Sequence, residues 1–146
     1  IKARTDAAGP IGLTEAIDRL NLYAEAGADV LFADALMSEE DIAAVAGSVP
    51  KPLSVNMGLG LLTRGTTPLI HPKRLQEMGV AMISYPRLMS TGAVRGMMNA
   101  MDALTDMIAG DEPVERPDLL VPFKDLNALV GIGFLDELED RYAGTE

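Results

Sequence analysis

Six side chains able to bind or polarise a small anion recur at one kind of place in this chain. Arg4 and Asp6 follow the apolar start Ile1–Ala3, and Asp34 follows Val30–Ala33. Asn56 closes Leu53–Val55, and Tyr85 with Arg87 follows Val80–Ser84. Each stands where a short apolar run gives way to a loop. In parallel α/β proteins the C-terminal ends of the strands open on one common face, and ligands bind there. Strands also end in polar residues simply because they exit into water, and for any single residue that account is as good. Across four successive units, convergence on one site is the better account.

The chemistry open to these groups differs. Arg4 offers a planar fork of donors suited to a carboxylate or a phosphonate. It could equally pair with Asp6 or Asp34, and the two uses are compatible. Asp34 comes after Phe32 and Ala33, so it is expected to be partly desolvated, where it could act as a base or orient a metal-bound water. A loop or helix-capping aspartate is the plainer alternative. Asn56 could donate its amide to a substrate oxygen, or close an Asx turn. The segment Gly58–Pro68 is rich in glycine and could wrap an anion with backbone N–H groups. It matches neither a Walker A loop nor a dinucleotide fingerprint. His71 reads as a helix-start residue, and the methionines of residues 90–109 read as core filler.

The elements that must position these groups alternate strand and helix. Strands are expected at 1–4, 29–34, 53–57 and 80–85. Helices are expected at 14–26 with Thr14 as N-cap and Gly27 as C-cap, after Ser38, and from Pro72 to Gly79. A long helix covers 90–109. Residues 111–122 hold Pro113, Pro117 and Pro122 and read as a linker. Two short helices are expected at 123–130 and 134–142. The second strand is apolar almost without interruption, as in a parallel sheet covered on both faces. Four βα units with right-handed crossovers fit either an open doubly wound sheet or part of a (β/α)8 barrel. A complete barrel takes about 250 residues. The chain has 146.

Composition narrows the function. Asp+Glu is 22 against Lys+Arg 12, a formal net charge of -10. That argues against nucleic acid and anionic membrane surfaces as partners. There is no cysteine and one histidine. A thiolate metal site and a cysteine nucleophile are therefore excluded within these residues, and a His-based triad nearly so. Hydrophobic residues make up 48%, a globular composition. With no long apolar run and no signal-peptide pattern, the expected location is cytoplasmic.

Several segments in order resemble a known family: Ile1-Lys2-Ala3-Arg4-Thr5-Asp6-Ala7, Ala16-Ile17-Asp18-Arg19, Tyr23 to Phe32 with its Ala-Gly-Ala-Asp, Asn56-Met57 with Thr67-Pro68, and Tyr85-Pro86. Together they are similar to the C-terminal half of the isocitrate lyase/phosphoenolpyruvate mutase superfamily. The resemblance implies that residues 1–110 are about four βα units of a (β/α)8 TIM-type barrel, with Ile1–Arg4 as its fifth strand. It implies that 123–146 form a helical tail able to pack on a neighbouring subunit of a dimer or tetramer. It further implies Mg2+-dependent lyase chemistry on a small 2-hydroxy di- or tricarboxylate or an oxaloacetate-like acid, with phosphonate P–C mutase chemistry as the alternative. By the same resemblance Arg4 grips the substrate and Arg4 and Asp34 are catalytic. Asn56, Met57, Gly58 and Thr67 contact substrate, and Asp34 reaches the metal through water. The direct Mg2+ ligands and the gating loop would lie upstream of this chain, leaving it inactive alone. A non-catalytic half-barrel that serves assembly is a reading from a different class. An isolated half-barrel would expose two strand edges and an apolar interior.

Overall fold

The structure is a computed structural model that describes residues 1–61, 63, 65 and 67–143. Residues 1–90 and 91–146 form separate compact units.

In the first unit, β1 (Lys2–Thr5), β2 (Val30–Ala33), β3 (Leu53–Asn56) and β4 (Val80–Ser84) make one sheet in the order β1-β2-β3-β4. Every pairing is parallel. Between them lie α1 (Leu13–Glu25), α2 (Glu39–Ser48) and α3 (Pro72–Glu77). Strand order equals chain order, without the reversal that defines a doubly wound sheet. Right-handed crossovers between neighbours of that kind place every helix on one face. α1 packs on β1, β2 and α2, while α3 packs on β4. This is the winding of a (β/α)8 barrel segment.

Alternation along the strands divides the two faces. Leu31 and Ala33, Leu53 and Val55, and Val80 face the helices and join Leu20, Ile42, Val45 and Leu75 in the core; a register shift against β4 between Leu53 and Ser54 separates Val80 from Met82 on the other face. Leu20, Leu31, Ile42, Leu53 and Leu75 are fully buried, and each such side chain contributes about 1.5–3 kcal/mol. The other face carries Lys2 and Arg4, Phe32, Ser54 and Asn56, and Met82 and Ser84. The expected apolar interior is therefore wrong for this face. It is mostly polar, with Phe32 and Met82 the apolar exceptions.

Helix ends follow local chemistry. α1 begins at Leu13, earlier than expected, because Gly12 at φ 127 makes the entry and Thr14 falls inside the first turn. Its end is a Schellman motif: Gly27 at φ 100 donates to the Ala24 carbonyl and Ala28 to that of Tyr23. Ser38 caps α2 as expected, its hydroxyl accepting from the Asp41 N–H at 3.0 Å. His71 caps α3, its Nδ1 accepting from the Lys73 N–H at 3.2 Å, with Pro72 in the first turn.

α4 (Leu88–Ala109) runs into the second unit. There a single 3-10 turn (Pro117–Leu119) precedes α5 (Phe123–Val130) and α6 (Ile132–Tyr142). α6 starts two residues before the expected position. Of the two glycines, only Gly131 takes the left-handed conformation (φ 76), so the break is one residue long. No residue of α4, α5 or α6 is buried.

Candidate active site

Parallel pairing sets the strand ends side by side at one edge of the sheet. Arg4 lies opposite Phe32 in the β1–β2 ladder, and Phe32 opposite Ser54 in the β2–β3 ladder. Asn56 lies opposite Ser84 in the β3–β4 ladder. Asp34 leaves the end of β2, its N–H donating to the Thr5 carbonyl at 3.0 Å.

Arg4 is the centre of a carboxylate cluster. Its Nε and Nη2 both donate to Asp6 Oδ1, at 2.9 and 2.7 Å, and Nη2 also donates to Asp34 Oδ2 at 2.6 Å. The Phe32 ring lies beneath, 5.2 Å from the guanidinium carbon. The Asp6 hydrogen bond, backed by the charges of Asp34 and Asp6, holds the guanidinium above its ordinary pKa, so it remains cationic throughout. The Arg4 side chain is half exposed and that of Asp34 is 30% exposed. Pairs this wet contribute only about 0–1 kcal/mol each, so their effect is orientation more than stability. The Nε/Nη2 edge is engaged by Asp6. Nη1 has no hydrogen-bond partner among the described residues.

Asn56 is oriented by Ser84, whose hydroxyl donates to Asn56 Oδ1 at 2.9 Å. This leaves the amide NH2 with no partner among the described residues and ready to donate. Ala35, directly after Asp34, has φ 58 and is the one described non-glycine residue at positive φ. A left-handed alanine costs about 1–3 kcal/mol and marks a backbone held against its preference. Here the strain sits at the turn that aims Asp34.

Other expected residues are placed differently. Met57 is fully buried in the helix-side core, and its N–H donates to the Ser84 carbonyl at 2.8 Å. The structure therefore keeps both its side chain and its N–H from a ligand on the open face. Tyr85 packs against the same core. Thr67 is buried and Gly58 half-buried. The anion-wrapping loop proposed between them includes Leu62, Arg64 and Thr66, which lie outside the described residues. Phe32, Ser54 and Ser84 escaped the sequence reading. Counting back in twos from Arg4 and Asn56 along their strands would have found Lys2 and Ser54.

Comparison with known proteins agrees with the barrel winding. The family model for phosphoenolpyruvate phosphomutase matches residues 1–105, and the chain belongs to that family. The chain is similar to 2,3-dimethylmalate lyase of Eubacterium barkeri, with 32% identity over 143 residues that cover 98% of this chain and 47% of the relative. It is similar also to 2-methylisocitrate lyase of Halalkalibacterium halodurans, 46% identical over 86 residues, 59% of this chain and 27% of that protein. Oxaloacetate acetylhydrolase in complex with the inhibitor 3,3-difluorooxalacetate superimposes with a TM-score of 0.83 at 27% identity, covering 99% of this chain and 46% of that one. The chain spans less than half the length of each. Its four βα units correspond to the C-terminal part of the family's TIM-type barrel.

Proposed function

We propose that the enzyme to which these residues belong cleaves or forms a carbon–carbon bond in a small 2-hydroxy di- or tricarboxylate or an oxaloacetate-like acid. The observation that carries this reading is that Arg4 Nη1 on β1 and the Asn56 amide on β3, neither with a hydrogen-bond partner among the described residues, are two donors on the same face of one sheet. The names of the relatives support it: a dimethylmalate lyase, a methylisocitrate lyase and an oxaloacetate acetylhydrolase all act on such acids. Arg4 would hold one substrate carboxylate, and Asn56 would donate to a neighbouring oxygen. Asp6 and Asp34 would keep the guanidinium from turning away. Asp34 Oδ1, unlike the Oδ2 bound to Arg4, has no partner among the described residues. It is the group through which Asp34 would act on a proton or a water.

Mg2+ enters through the family and not through these residues. Among the described residues no three His, Cys, Asp or Glu side chains gather into a metal-binding group, and the nearest pair of acids, Asp6 and Asp34, is bridged by Arg4. The chain does not fit the metal by itself. We place the direct ligands on other segments, and Asp34 in contact with the metal only through water. Alone, these residues would be inactive. A phosphonate mutase is the second reading, favoured by the family description and by 31% identity to carboxyvinyl-carboxyphosphonate phosphorylmutase of Arabidopsis thaliana. A guanidinium edge serves a phosphonate as well as a carboxylate.

The intact enzyme would be cytoplasmic and a homo-oligomer. No described helix is long and apolar enough to cross a membrane. The exposed apolar residues of the second unit, among them Phe123, Leu129 and Phe134, would supply the subunit contacts. The test is to assay the enzyme carrying this chain with Mg2+ against a panel of 2-hydroxy acids, oxaloacetate and phosphonates, beside Arg4→Ala. The variant should lose at least about a hundredfold in kcat/KM, the scale of removing one partner of a charge-assisted contact. Equal turnover in the variant would sink the role of Arg4, and turnover of phosphonates alone would replace the lyase with the mutase.

A further inference from the structure

One cation on the ligand face has no place in the reading above. Lys2 stands two residues before Arg4 on β1, so both side chains leave the same face of the sheet. The residue is exposed, but its ammonium is held over the sheet. Nζ lies 4.7 Å from the centre of the Phe32 ring and donates to Ser54 Oγ at 2.7 Å. Phe32 and Ser54 are buried (5% and 0% exposed), and Phe32 is the ring on which Arg4 rests at 5.2 Å. The hydrogen bond to Ser54 therefore lifts the ammonium to the level at which Arg4, Phe32 and Ser54 lie side by side. That is one side-chain layer below Asn56. Both cations lie over the Phe32 ring.

Their charge balance differs. Arg4 is matched by Asp6 and Asp34. Lys2 has no carboxylate within salt-bridge distance among the described residues, and it meets only a neutral hydroxyl and a ring. An ammonium in that position offers positive potential with no local sink. Sharing the Phe32 ring with Arg4 keeps the two cations within about 10 Å, a range over which charges still interact near a low-dielectric surface.

We propose that Lys2 is a specificity-determining residue that makes the Arg4 site prefer dianions over monoanions of the same shape. It acts through the Phe32–Ser54 floor and does not touch the ligand. The inference rests on the carboxylate-binding reading of Arg4 and adds to it the charge of the acid. No described group except Lys2 would supply the second positive charge at the floor.

Oxalate and oxamate separate charge from shape, since both are planar two-carbon acids and differ by one negative charge. Binding of each is measured by isothermal titration calorimetry, near neutral pH and with the metal held constant, to the full-length protein carrying this chain. The proteins compared are the parent, Lys2→Met, Lys2→Arg and Arg4→Met. Lys2→Met should weaken both acids, oxalate the more, so that the oxalate-to-oxamate affinity ratio falls by up to about tenfold. Lys2→Arg should keep the parent ratio, and Arg4→Met should weaken both ligands. An unchanged ratio in Lys2→Met, with Arg4→Met still weakening both ligands, overturns the proposal and leaves the carboxylate site standing. An unchanged ratio accompanied by a fall in Tm overturns it as well, and assigns Lys2 to pairing within the fold. Failure of the parent to bind either acid removes the carboxylate site, and this proposal with it.

Discussion

The two units of the chain are about equally ready to bury apolar surface, and only one does so within itself. Among the described residues, the largest fully buried side chains lie in residues 1–90, among them Leu20, Leu31, Leu36, Ile42, Leu53, Met57 and Leu75. In residues 91–146, Met97, Met101, Phe123, Leu129 and Phe134 are each at least 60% exposed. Both stretches show apolar residues at helical spacing. The difference lies in the partner. α1, α2 and α3 each have a sheet face or a sister helix to cover their apolar stripe, whereas α5 and α6 contact each other yet, like α4, bury no residue. Periodicity reports that a face wants covering and is silent about what covers it.

Core truncation is the largest effect expected from this contrast. Leu31→Ala should destabilise the chain by about 2–5 kcal/mol in urea unfolding, because the fully buried β2 position cannot collapse around the cavity. Leu129→Ala, at a position 82% exposed, should cost under about 0.5 kcal/mol in the monomer. Comparable losses from the two variants at high protein concentration would show that Leu129 is buried in an assembly, and would narrow the contrast to one between self-covered and partner-covered faces.

The proposed assembly is tested more directly by charge. Phe134→Glu together with Leu129→Glu should weaken self-association by about 2 kcal/mol or more, the scale of a truncated interface anchor. Sedimentation velocity reads the shift to smaller species, while far-UV circular dichroism should show unit 1 intact. An unchanged sedimentation profile would remove these residues from the subunit contact.

Much of this arrangement was legible in the sequence, and the illegible part has a physical cause. Apolar runs followed by Arg4, Asp34 and Asn56 gave the strand ends, because side-chain period and loop entry are local properties. Ser38, Pro72 and Gly79 marked helix ends correctly for the same reason. The choice between a doubly wound sheet and a barrel was open until strand order was seen, since that order depends on which pairs form across 20–30 residues and not on any one of them. Met57 looked like a ligand contact because it follows Asn56. The pleat turns it to the opposite face. Lys2 carried no role in the sequence, and only the third dimension brings it to Ser54, 52 positions away in the chain. The two compact units meet at residues 90 and 91, inside the span of α4.

A smaller effect sharpens the comparison within unit 1, between the relaxed core and the strained turn beside the site. Ala35→Gly should stabilise the chain by up to about 1 kcal/mol, since glycine adopts φ 58 without penalty, less its greater entropy in the unfolded chain. The same change frees the turn that aims Asp34, so kcat/KM of the intact enzyme should fall while Tm rises. A rise in both would mean that the strain is unrelated to the site.

The smallest effect contrasts how the two units hold a carboxylate. Glu40, in the first turn of α2, is held below the ordinary glutamate pKa chiefly by a hydrogen bond from its own backbone N–H, then by the Ser38 hydroxyl and the charge of Arg74. Asp118, in the second unit, is held below the ordinary aspartate value chiefly by the hydrogen bond from Arg116, whose Nη2 lies 2.8 Å from Oδ2. In both the folded value is depressed. Each group's contribution is therefore present above its unfolded pKa, about 4.3 for Glu and 3.9 for Asp, and is lost as pH falls through the folded value. Salt should separate them. Raising ionic strength to about 1 M shortens the screening length to about 3 Å, which weakens an exposed ion pair more than a hydrogen bond to a fixed backbone N–H. In an NMR titration of side-chain carboxyl carbons, Asp118 should move up toward its ordinary value in high salt while Glu40 moves less. α2 amides should then lose exchange protection over the same acid range at either salt. Equal movement of both carboxylates would show that Glu40 depends on Arg74 more than on the helix start, and that the capped end of α2 is no firmer than the Arg116–Asp118 pair.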